Sequence, residues 1–207
     1  MLPDTLPAFL LTATILTMVP GLDTAVVLRT AAMDGPRAGV GSAMGIALGC
    51  LCWGAAAAFG LAALLESWPL AFDLLRLSGG AYLAWLGAKF LLRLRLSISV
   101  ERLSDSAGTI SGAIRRGFTT NILNPKVGAF YLTLLPQFVP SGPSSGAQAC
   151  SLAASHSLIV IGWFSLLAVF TGVVRPWLQR PAVVRMLDRT TGGILMMLGV
   201  QLVGLRS

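Results

Sequence analysis

Residues 121–130, NILNPKVGAF, set two asparagines, a proline and a lysine inside an otherwise apolar stretch. RRGF precedes it and YLTLLPQF follows closely, so its surroundings read as a helix built for lipid. A second interruption, MVPGLDTAVV at 18–27, breaks the first apolar segment with Pro20, Gly21 and Asp23. Proline removes a backbone donor and clashes with the carbonyl four residues earlier. In hydrocarbon the polar groups it frees are tolerated only where they are buried in protein or line a wet cavity. What each break faces is therefore the question the chain poses.

The chain has 207 residues, of which 55% are hydrophobic and 11% charged, with a mean hydropathy of +0.79. Soluble domains carry about 25% charged residues, so the composition is that of an all-α integral membrane protein. The net charge of +7 does not point to nucleic acid. Its basic residues cluster in short gaps between apolar runs, as membrane topology requires. Cys50, Cys52 and Cys150 form no CxxC pair and read as small buried hydrophobes. With one histidine, no metal site and no cofactor are expected. The N-terminus carries Asp4 and no basic cluster, so the first apolar run is expected to remain as a span.

Six apolar runs approach the roughly 20 residues needed to cross a bilayer core, at about 6–30, 38–65, 71–93, 113–136, 147–174 and 186–205. A polar loop at about 94–112 separates the third from the fourth, and PSGPSSGAQ joins the fourth to the fifth. The expectation is one membrane domain over 1–207, with repeat one at about 5–95 and repeat two at about 113–207. Arg29 and Arg37 follow the first span, Lys89, Arg93, Arg95, Arg102, Arg115 and Arg116 surround the third gap, and Arg175, Arg180, Arg185 and Arg189 the fifth. The gap after the fourth run has no basic residue, and that after the second holds Glu66 and Asp73, with Arg76 at its far edge. This bias places the odd gaps in the cytoplasm and both termini outside.

Three spans per half make any repeat inverted, and Pro20 and Pro125 fall in the first span of each half. Broken helices at matching positions of inverted halves point to a transporter's midplane binding site. A half-helix N-terminus offers N–H groups to a carboxylate, while Asp23 and Lys126 contribute one charge of each sign. A zwitterion needs that combination. The candidate substrate-binding residues are Pro20, Gly21, Asp23 and Thr24 from one half and Asn121, Asn124, Pro125 and Lys126 from the other. Alternating access would rock the halves around them.

Blander readings exist for each feature. Proline kinks serve packing in many membrane helices. An alternative places Asp23 and Lys126 near the membrane surface, snorkelling or capping a helix end, or paired with each other as structure. Asn121, Asn124 and Gly128 share a helical face, as do Thr14, Thr17 and Gly21, and such faces also serve hydrogen bonding between packed spans. Gly41, Gly45 and Gly49 form a small-residue stripe for close helix contact, inside the protomer or between two copies as a homodimer; Gly80, Ala84 and Ala88 repeat the device. His156, within SLAASHSLIVIGW, is a candidate proton relay or a histidine bonded to serine or backbone. The five tryptophans read as interfacial anchors or packing.

Three of these stretches also carry a family resemblance. GFTTNILNPKVGAFYLTLLPQFV resembles the fourth-span signature of the LysE/RhtB family of bacterial amino-acid exporters, LRLSGGAYLAWLGAKFLL its third span, and VPGLDT its first-span PGP-(Asn/Asp) motif. The resemblance runs from about residue 5 to the C-terminus. It implies proton-driven export of an amino acid across the bacterial inner membrane, with protons and lipid as the other partners. Leu22 stands where the family motif has its second proline, while Asp23 matches one of the two residues the family uses.

The family does not name the substrate. Asp23 is the acid deep in a span, and a dibasic substrate calls for a second, so a neutral amino acid is expected. Asp23 and His156 are the candidates for proton coupling: protonated Asp23 holds an ammonium less well, so proton and substrate compete for one carboxylate. A passive channel reuses the same polar breaks, and a basic amino acid or another small polar solute is the alternative cargo. HExxH, GxSxG and paired aspartates are absent from the sequence, so no enzyme is expected.

Overall fold

The computed structural model describes residues 5–67, 69–92, 109–139, 144–178 and 180–204. Both proline interruptions become helix breaks. Helix α1, Leu6–Met18, stops before Pro20, and α2, Leu22–Asp34, restarts at an angle of 53° to it. Gly35 then takes a φ of 89°, a left-handed turn that favours glycine. Pro36 opens the long α3, Pro36–Ser67, at the helix position where a missing N–H costs nothing. Helix α4 covers Pro69–Leu91.

Helix α5, Ile110–Ile122, is capped by Thr109, whose hydroxyl accepts from Gly112 N at 3.1 Å. It ends ahead of Pro125, which begins the five-residue α6, Pro125–Ala129. The chain continues as a π-helical turn, Phe130–Leu134, and a 3-10 turn, Leu135–Phe138. Helices α7, Ser145–Val169, α8, Thr171–Leu178, and α9, Pro181–Gly204, complete the described chain. All described secondary structure is helical. The helical runs fall where the apolar runs predict them. Most of the expected loop, including Arg93, Arg95 and Arg102, lies outside the described residues, as does Trp68.

Among the described residues, α3 over Pro36–Phe59 and α7 are long and apolar enough to cross a membrane, and the bent α1–α2 pair qualifies as a third span if taken as one. Hydrophobicity is distributed accordingly. Leu11, Met33, Phe59 and Leu158 stand exposed on helix exteriors, while Asp23, Asn121, Asn124, Lys126 and His156 are buried. A soluble fold does the reverse. This also corrects one reading of the cysteines: Cys50 is buried, but Cys52 and Cys150 face outward. In lipid both the interior and the exterior are apolar, so hydrophobicity alone does not sort them.

Helix α3 packs between α5 and α7, and α4 packs along α9. Glycine sets both approaches. A Cβ on Gly45 would collide with Ile114 O, and one on Gly117 with Ser42 O, so α3 and α5 touch backbone to backbone. Likewise a Cβ on Gly199 would lie 2.6 Å from Gly80 O and from Ala84 N, and one on Gly87 2.7 Å from Gly192 O. Both glycine stripes thus pack helices within the protomer.

Candidate functional site

The two breaks meet in the interior. Pro20 has no N–H for the Leu16 carbonyl, and Lys126 supplies the missing donor. Its Nζ donates to Leu16 O at 3.1 Å and to Val19 O at 3.0 Å. Gly21 lies beside this ammonium, where a Cβ would stand 3.4 Å from Nζ. Thr24 closes the first turn of α2 by accepting from Gly21 N at 3.4 Å.

The fourth-span break is built in the same way. Pro125 orphans the carbonyl of Asn121, which accepts instead from Asn124 N at 3.0 Å and, at a long 3.5 Å, from the indole Nε1 of Trp53. The Trp53 ring is also the nearest neighbour of Gly128, at 3.1 Å from where a Cβ would sit. Asn124 caps α6, its Oδ1 accepting from Lys126 N at 3.1 Å. The breaks separate Asn121 from Asn124 and Gly128, and Thr17 from Gly21. The continuous helical faces expected from their spacing are therefore not formed.

Asn121 connects the halves. Its Nδ2 donates to Asp23 Oδ2 at 3.0 Å and contacts Cys50 Sγ at 3.6 Å. Gly49 makes room for it, since a Cβ there would lie 2.5 Å from Asn121 Oδ1. Asp23 and Lys126 interact through space, yet the ammonium rests on the carbonyls and forms no ion pair with Asp23 among the described residues. Two buried polar atoms remain without a hydrogen-bond partner among the described residues at this junction: the acceptor Asp23 Oδ1 and the donor Asn124 Nδ2. Buried polar groups are nearly always paired. The Asn124 side chain nonetheless reaches the Asp23 carboxylate, so this donor and acceptor lie next to each other without closing a hydrogen bond.

His156 ties three elements together. Its Nε2 lies 3.0 Å from Thr17 Oγ1 on α1, and its Nδ1 2.9 Å from the Tyr131 hydroxyl in the π turn. Thr17 already donates to Ala13 O at 2.7 Å. Its oxygen therefore accepts from His156 Nε2–H, and Nδ1 accepts from Tyr131 in the neutral ring. Sequence reasoning does not single out Tyr131, Cys50 or Trp53 as site residues. The usable signal is that Cys50 and Trp53 are three apart on one helix, next to the Gly49 notch. A π turn gives no such signal, although these turns are frequent at functional sites.

Two sets of contacts flank the junction. On one side Phe9 packs edge-on to Phe138 at 5.4 Å and against Phe130 at 6.0 Å, with Thr5 Oγ1 donating to Phe138 O at 3.2 Å. On the other, Arg116 on α5 pairs with Asp34 at the end of α2 at 2.6 Å. The eleven residues from Asp23 to Asp34 rise about 16 Å along α2. That is about half of a ~30 Å hydrocarbon layer. No group of three or more potential metal ligands occurs among the described residues.

Comparison with known proteins gives a consistent picture. The family model of LysE type translocators matches residues 14–205. An uncharacterized membrane protein of Bacillus subtilis, YrhP, is 27% identical over 94% of this chain and 96% of its own length. A leucine efflux protein of Enterobacter is 32% identical over 75% of this chain and 73% of its own. A homoserine/homoserine lactone efflux protein of Salmonella typhimurium is 27% identical over 96% of both. No solved structure matches the chain.

Proposed function

Because the chain belongs to the LysE type translocator family, we propose that it exports a small amino acid with an uncharged side chain from the cytoplasm, in exchange for protons, across the bacterial inner membrane. Six spans in two inverted halves, with both termini outside, form the frame. The substrate binds near the midplane, between the breaks at Pro20 and Pro125. Asp23 Oδ1 receives the substrate ammonium and Asn124 Nδ2 donates to its carboxylate. The observation that carries this reading is the pair of buried, unpartnered atoms where the broken spans meet. Together they complement the two ends of a zwitterion.

Charge supports a neutral side chain. Asp23 is the buried carboxylate of the described residues, and Asn121 already occupies its Oδ2. A second ammonium or a guanidinium meets no further buried acid among the described residues. Relatives are named for efflux of leucine and of homoserine or its lactone, and both amino acids carry uncharged side chains. Coupling follows from Asp23, because a proton there removes the charge that holds an ammonium. The Asp34–Arg116 pair closes the cytoplasmic approach and the Phe9, Phe130 and Phe138 cluster the outer one.

The test is purified protein in liposomes loaded with mixed amino acids under an imposed proton gradient, with and without a protonophore. Movement of one or two neutral amino acids that stops when the gradient collapses is expected. Equal leakage in both conditions would make the protein a channel. Transport of lysine or arginine in preference would overturn the neutral assignment.

A further inference from the structure

Lys126 holds the site in a way that the binding of a zwitterion does not require. Its ammonium sits on two main-chain oxygens, Leu16 O at 3.1 Å and Val19 O at 3.0 Å. Both belong to the C-terminal end of a half-helix, where carbonyl dipoles carry partial negative charge. Unwound carbonyls and half-helix C-termini are the groups with which broken transport helices coordinate free cations. We propose that Lys126 is a tethered cation, filling a seat that would otherwise take a free monovalent metal ion, so that the transport cycle needs no sodium.

Three further features agree. The tether is anchored rigidly at its base, since Pro125 fixes the preceding backbone and Asn124 Oδ1 accepts from Lys126 N. Gly21 borders the seat, where a Cβ would stand in ordinary contact with Nζ at 3.4 Å. The seat also holds negative potential, because Asp23 acts on Lys126 without contacting it and leaves Oδ1 unpartnered. An ammonium on a four-carbon stem is a compact, strongly hydrated point charge, close in character to a small alkali cation. Lys126 is accordingly a positioning residue, holding the end of α1 against α6. It also makes a cation site of its own removal: Lys126→Ala leaves two buried carbonyls facing an empty seat.

The experiment is thermal unfolding of the purified full chain in sodium, lithium, methylammonium and choline chlorides at equal ionic strength. The wild type is expected to melt at one temperature in all four. Lys126→Ala is expected to melt lower in choline and to be restored by sodium, lithium or methylammonium at concentrations where choline has no effect. Lys126→Gln, which offers two amide N–H donors but no charge, should lose less and respond less, and it carries the comparison if the alanine variant does not fold. A variant indifferent to the identity of the cation would overturn the proposal, as would a wild type whose stability or uphill export requires sodium. Sodium independence rests on the transport reading, but cation-selective rescue does not. Selective rescue together with absent amino-acid export would sink the transport reading alone.

Discussion

The Lys126 ammonium lies 3.1 Å from the Leu16 carbonyl oxygen, the acceptor that Pro20, four residues on, leaves without a donor. A break in one half of the chain is thus completed by a charge from the other. The coupling is measurable. Lys126→Ala strands this carbonyl and that of Val19, at about 1–3 kcal/mol for each buried group left unpaired. Pro20→Ala returns an N–H to Leu16 O, so the same lysine substitution should then cost less. A double-mutant cycle read by unfolding in detergent should show at least about 0.5 kcal/mol of coupling; additive effects would reject the relationship.

Asp23→Asn retains a partner for Asn121, because the Asn side chain still offers an oxygen to Nδ2, so folding should survive. Export against a gradient should not. Substrate ammonium then meets a neutral amide, and a loss of about tenfold or more in driven transport corresponds to about 1.4 kcal/mol of weakened interaction. Full gradient-driven export by this variant would end the idea that proton and substrate compete for one carboxylate.

His156 has both ring nitrogens engaged, by Thr17 and Tyr131. His156→Ala should therefore lower stability by about 1–3 kcal/mol. If the ring is a tie between elements, His156→Gln should retain coupling to the proton gradient at a reduced rate. If it relays protons, solute exchange should persist while the gradient no longer drives it. Comparing exchange with uphill export in the same liposomes separates the two.

The breaks themselves are legible in the sequence, because proline, glycine and charge stand out against an apolar background and fall at matching places. Asp23, Asn121, Asn124 and Lys126 do converge in the interior. Two things are not legible. Periodicity assumes an unbroken helix, so it assigns Asn121 and Asn124 to one face when the backbone between them is unwound. The second concerns Cys50, Trp53 and Tyr131, whose sequence surroundings are those of packing residues. Their polar contacts cross 68 residues of sequence for Trp53 to Asn121, and 25 for Tyr131 to His156. Local pattern says nothing about partners so distant.

Glycine substitutions separate close approach from mere small size. Gly45→Ala drives a methyl group into the Ile114 carbonyl and should abolish the folded protein. Gly162 has open space where a Cβ would stand, with nothing within 4 Å, so Gly162→Ala should fold and transport normally. Gly49→Ala lies between, pressing on the Asn121 amide that holds Asp23. It should impair transport more than stability, as measured by rate against melting temperature. An impaired Gly162→Ala with an intact Gly45→Ala would contradict the backbone contact between α3 and α5.

In the orientation proposed above, the Asp34–Arg116 pair should govern access from the cytoplasm. Asp34→Asn removes the charge at the end of α2, and thiol reagents applied to that side should then label a cysteine placed at the buried Thr24 faster, in a background lacking the exposed Cys52 and Cys150. An unchanged labelling rate would show that the pair does not bar the way.

Helices that meet backbone to backbone have no layer of side chains on which to slide. Since α3 and α5 touch in this way at Gly45 and Gly117, rolling the two proposed halves against each other would have to break backbone contact along that seam. On the transport reading proposed above, the stroke is therefore short and local. On that reading it belongs to α1, α6 and the turns that follow, moving against a stationary chassis.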